Sequence, residues 1–76
     1  MLNYRIWPRD GSTGEEYWLQ ADSPEQARRL VAESVDNAGD VKNPDVFGCT
    51  EDNEKRPPRD HLIYRRLNGP VKIAGR

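Results

Sequence analysis

Apolar side chains recur with a period of two at the start of the chain and with a helical period after it. Leu2, Tyr4 and Ile6 alternate with Asn3, Arg5 and Trp7, and Tyr17, Leu19 and Ala21 alternate with Glu16, Trp18 and Gln20. A period of two belongs to strands, whose successive side chains point to opposite faces of a sheet. The pattern therefore predicts strands over residues 2–7 and 16–21. Pro8, Asp10, Gly11, Ser12, Thr13 and Gly14 are turn formers, so residues 8–15 read as a mobile hairpin loop. One face of this hairpin, Leu2, Tyr4, Ile6, Tyr17, Leu19 and Ala21, offers an apolar bed for a helix.

That helix is predicted over residues 24–38. Ser23 is a natural N-cap, Pro24 suits the first helical position, and Gln26 completes a Ser-x-x-Gln capping box. Ala27, Leu30, Val31, Ser34, Val35 and Ala38 form one continuous stripe, while Glu25, Arg28, Arg29, Glu33 and Asp36 take the opposite side. Gly39 supplies a left-handed stop. The stripe is only moderately apolar, so the helix needs a sheet beneath it.

Beyond the helix the periods shorten again. Residues 46–50 read as a third strand, residues 61–67 as a fourth and residues 71–74 as a fifth. Asn68-Gly69 is a two-residue turn signal. Under that turn Arg65 faces Lys72 and Tyr64 faces Ile73. Pro70 removes a backbone donor and suits a sheet edge. The stretch 51–60 is charged, holds Pro57-Pro58, and reads as a second mobile loop. The order β-β-α-β-β-β implies a single two-layer α+β domain over residues 1–76. Its one amphipathic helix packs on a mainly antiparallel sheet of four or five strands, with the place of the third strand left open.

Composition narrows the function classes. Seventy-six residues suffice for one small core, and apolar residues make up 34% of the chain against 33% charged. One cysteine excludes an internal disulfide framework and a cysteine-built zinc cage. No apolar run reaches the ~18 residues that span a bilayer, and the start of the chain lacks a signal-peptide core. A soluble, cytoplasmic protein with no membrane contact is expected. Net charge is −1, but it is segregated. Residues 1–54 carry 5 Lys/Arg against 12 Asp/Glu, and residues 55–76 carry 7 against 1. The two blocks either neutralise each other across the sheet or leave a basic face for phosphates or an acidic protein.

Catalytic constellations are sparse. A Cys49–His61 dyad would need the two side chains adjacent across strands, and Asp60-His61 is the remaining acid–base pair. Glu15 and Glu16 are neighbours in sequence, so in a strand they point to opposite faces. Glu51, Asp52 and Glu54 lack the spacing and glycine of a calcium loop. Gly11-Ser12-Thr13-Gly14 has the GxxG spacing that clamps nucleic acid between two helices, but here it joins two strands. No cofactor, metal or catalytic residue is expected.

The surfaces carry more. Trp7, Trp18 and Arg5 fall on the sheet face opposite the helix, where the charged loop or the chain end either covers them or leaves two indoles and a guanidinium open as an anchor of the kind that dominates protein interfaces. On that reading Trp18→Ala removes partner capture and leaves the fold intact. Arg65, Arg66 and Lys72 form a steering cationic patch. The expectation is a small non-enzymatic module that docks on another macromolecule, a protein first, with self-association as a homodimer using the same face. The alternative is a nucleic-acid-binding protein using residues 55–76, with Lys55, Arg56, Arg59 and Tyr64 on phosphates and bases.

Overall fold

A computed structural model describes residues 2–11, 14–35, 43–52 and 61–74. The chain forms β1 (Leu2–Pro8), β2 (Tyr17–Ala21), α1 (Pro24–Ser34), a 3-10 turn (Pro44–Val46), β3 (Phe47–Glu51), β4 (Leu62–Arg65) and β5 (Val71–Lys72). The five strands make one sheet in the order β3-β1-β2-β4-β5, and every pairing is antiparallel. The helix packs on one face of it, as an α+β domain requires.

Strand periodicity decides the core. Tyr4 faces Leu19 and Ile6 faces Tyr17 across β1 and β2, and all four are buried. Register places Phe47 of β3 and Ile63 of β4 on the same face, and Ile73 closes the core beside β5. The Tyr17 and Phe47 rings meet edge to face, centroids 6.1 Å apart, the arrangement their quadrupoles favour. Ala27, Val31, Ala32 and Val35 of the helix segment are buried above this bed, with Leu30 packed at its border. Ala32 lies outside the expected stripe, so the buried helix face is wider than the spacing indicated.

The helix begins as its sequence dictates. Ser23 is extended and its Oγ accepts from the Gln26 N–H at 3.1 Å. Gln26 completes the box one residue further out than expected, because its Oε1 accepts from the Asp22 N–H. The far end differs from the expectation. The helix stops at Ser34 and Val35 is extended, at φ −105 and ψ 110, while its N–H still reaches the Val31 carbonyl. Val35 is β-branched and is buried in the core at that conformation, which outweighs its weak helix preference. Ala38 and Gly39 lie outside the described residues. Ser34 Oγ accepts from the Ala74 N–H at 2.9 Å and ties this end to the chain beyond β5.

The last hairpin also departs from its expected register. Ile63 pairs with Val71 and Leu62 with Lys72, three residues away from the two-residue turn that Asn68-Gly69 signals. Neither residue has the positive φ that such a turn demands. The reason is competition from β2. Arg66 N–H reaches the Glu16 carbonyl, Leu67 N–H and Asn68 Nδ2 donate to the Glu15 carboxylate at 2.7 and 2.8 Å, and Arg65 Nε donates to the Gly69 carbonyl. Residues 65–69 thus follow the β2 side instead of folding straight onto β5. Two smaller shifts accompany these. Val46 sits in the 3-10 turn and is exposed, so β3 starts one residue late, and Leu2 at the sheet margin is exposed as well.

In the 8–15 loop, Gly11 and Gly14 both take φ +67, a region that a side chain disfavours. Arg9 is pinned to β3 through its N–H to the Val46 carbonyl and its Nε to the Phe47 carbonyl. The expected mobile loop 51–60 has only Glu51 and Asp52 among the described residues. No described helix is long and apolar enough to cross a membrane.

Glu15 is 3% exposed, which makes its carboxylate the fastener of the 66–68 turn. Glu15→Ala removes a buried carboxylate that accepts two charge-assisted hydrogen bonds and should cost about 1–3 kcal/mol. Glu16→Ala should stay within about 0.5 kcal/mol. Urea titration of both variants checks the difference, and equal costs would contradict the fastener.

Candidate functional site

The face opposite the helix is built by the alternate residues of each strand. One row runs across four strands, with Thr50, Arg5, Trp18 and Tyr64 in direct register. Beside it Trp7 lies opposite Gly48. Lys72 joins the same face opposite Leu62. Cross-strand neighbours of this kind stand about 5 Å apart, close enough for aromatic and long side chains to touch.

Gly48 is the reason the Trp7 ring lies where it does. A Cβ on residue 48 would fall 2.5–2.7 Å from three atoms of the indole, Cε2, Cζ2 and Nε1. The ring therefore lies flat against bare backbone, a close approach that only glycine permits. Arg5 covers the indole in turn, with Cζ 5.1 Å from the ring centroid, inside the range of a cation–π contact. Trp7 and Arg5 are both half-buried.

The two indoles expected to form one open anchor are not equivalent. Trp18 is 9% exposed, lies between Arg5 and Tyr64, and its Nε1 donates to Asp52 at 3.3 Å. It belongs to the fold, and its removal would damage the sheet before it damaged a docking surface. Trp7 is the indole at the surface.

The cationic residues divide as well. Arg65 lies opposite Tyr17, on the helix side of the sheet, and Lys72 is across from Leu62, not Arg65. The expected Arg65–Lys72 spot is therefore not formed, because the register slips by an odd number of residues and inverts the faces. Arg66 joins Trp7 and Arg5 instead. These three, with Pro8, Gly11, Gly14, Glu15 and Glu16, line an open cleft of about 250 Å3 at the hairpin tip. Tyr64 is half-buried beside Trp18, while Lys55, Arg56 and Arg59 lie outside the described residues.

The Cys49–His61 dyad is not assembled. Cys49 sits on β3 and His61 precedes β4, with β1 and β2 between the two strands, a separation of about 14 Å from three strand spacings. Burial pushes the Cys49 thiol up from its ordinary range, an effect that Arg28 only partly offsets, so the thiolate nucleophile is disfavoured. Burial likewise raises the Tyr4 phenol, helped by Glu51 across the strand pair. Asp60 and Glu54 lie outside the described residues. Among the described residues no group of three or more His, Cys, Asp and Glu is placed to hold a metal ion.

Gly48, Glu15 and Glu16 are site residues that sequence reasoning missed. A glycine inside a strand pattern is a signal of close approach, and Gly48 carried it. Nothing in the sequence marks Glu15 as buried.

Gly48→Ala should displace the Trp7 ring and cost about 1–3 kcal/mol, as overpacking does. The indole shift of Trp7 in a nitrogen–proton correlation spectrum should move while that of Trp18 stays, and an unmoved Trp7 signal would contradict the packing. No family model, curated protein or solved structure matches this chain.

Proposed function

We propose that this chain is a small non-enzymatic binding module that docks on a protein partner through the helix-free face of its sheet. The observation that supports it is the Trp7–Arg5 pair, stacked at 5.1 Å over the bare backbone of Gly48. A half-exposed indole held rigidly by its neighbours loses little freedom on binding, and Trp and Arg are the side chains most often found at interface hot spots. Arg66 beside this pair and Lys72 on the same face give the surface a positive edge for steering.

Nucleic acid, the alternative partner, finds less support among the described residues. Its cations are divided between two faces, with Arg65 on the helix side. The net charge of −1 provides no general attraction for a phosphate backbone.

The test is photo-crosslinking capture from cognate cell lysate, comparing the natural chain with Trp7→Ala and with Arg29→Ala on the exposed helix side. Trp7→Ala should lower capture of its specific partner about tenfold or more, with an unchanged circular dichroism spectrum, and Arg29→Ala should leave capture intact. Equal capture by all three proteins contradicts the reading. Salt-sensitive binding of mixed-sequence oligonucleotides in place of protein capture would move the assignment to nucleic acid.

A further inference from the structure

The cleft at the hairpin tip, of about 250 Å3, is lined by two arginines, Arg5 and Arg66, together with Trp7. Arg5 Nε is buried and has no hydrogen-bond partner. No hydrogen bond or ion pair engages the Arg66 side chain among the described residues, since its backbone N–H alone is tied, to Glu16. Glu15, which lines the same cleft, accepts from the Leu67 N–H and from Asn68 Nδ2. Among the described residues neither arginine side chain is held by an ion pair, so both keep donors for a ligand although Glu15 and Glu16 line the same opening. A guanidinium stacked on an aromatic face and short of acceptors is complementary to a planar anion, because its fixed donors match two carboxylate oxygens.

Resting on the docking reading above, we propose that this cleft is a carboxylate pocket that receives an Asp or Glu side chain from an acidic segment of the protein partner. Charge decides for carboxylate over phosphate. Glu15 and Glu16 line the same cleft as the two arginines and offset much of their field. A monoanion still gains there, whereas a dianion meets more repulsion from those two acids. The cleft is open and Trp7 is part of its wall, so a continuous segment can pass Trp7 while one acidic side chain enters.

The probe is a blocked tetraglutamate peptide, titrated at low salt into nitrogen-labelled protein. Side-chain Nε–Hε signals of the arginines and the Trp7 indole signal are followed together. The peptide should give saturable shifts at Arg5, Arg66 and Trp7, and none at Arg65 on the far face. Arg66→Gln, at an exposed position, should weaken the peptide about threefold or more, and Arg65→Gln should leave it unchanged. Absent shifts, shifts of equal size at Arg65, or tighter saturation by inorganic phosphate would overturn the pocket. The two readings fail separately in the capture assay. Loss of the partner on Trp7→Ala but not on Arg66→Gln overturns the pocket and keeps the docking face, whereas loss on neither overturns both.

Discussion

One helix of 11 residues must serve a sheet of five strands. At 1.5 Å per residue it is about 16 Å long, and five strands span about 19 Å, so it can cover one face and no more. Most of the apolar side chains that the strands alternate toward that face are accordingly buried, from Tyr4 to Ile73, with Leu2 left exposed at the sheet margin. The residues that alternate away from it must be stabilised by one another. Arg5 stacks on Trp7, Trp7 lies on Gly48, and Trp18 bonds Asp52. The proposed docking surface is a consequence of the same shortage of cover among the described residues.

β2 is where the two faces meet. It is central in the sheet, and four of its five residues are buried, including both Leu19 toward the helix and Trp18 away from it. The Glu15 carboxylate just before it organises the turn after β4. That turn sets the position of Arg66, which completes the cleft with Arg5 and Trp7. A carboxylate buried for structural reasons thereby shapes the proposed binding surface whose cleft it also lines.

Much of the architecture was legible because it rests on local rules. Period-two alternation gave both strands of the first hairpin and the side each residue takes, and Ser23, Pro24 and Gln26 marked the helix start within the observed cap. What escaped depends on contacts distant in sequence. Asn68-Gly69 carries a strong local turn signal, yet its surroundings are decided by Glu15, more than fifty positions earlier. With that register Arg65, on the helix side, is parted from Lys72 on the other face, and Arg66 lines the cleft. The burial of Trp18 escaped for the same reason, since alternation assigns a face but not what stands beside the residue on neighbouring strands.

The account turns on an asymmetry between two indoles on one face, Trp7 presented and Trp18 held. Acrylamide quenching of single-tryptophan variants measures it directly. The variant that keeps Trp7 (Trp18→Phe) should emit to the red and quench several times more steeply than the variant that keeps Trp18 (Trp7→Phe). Equal quenching, or a Trp18 more accessible than Trp7, would contradict the claim that the helix-free face docks through Trp7.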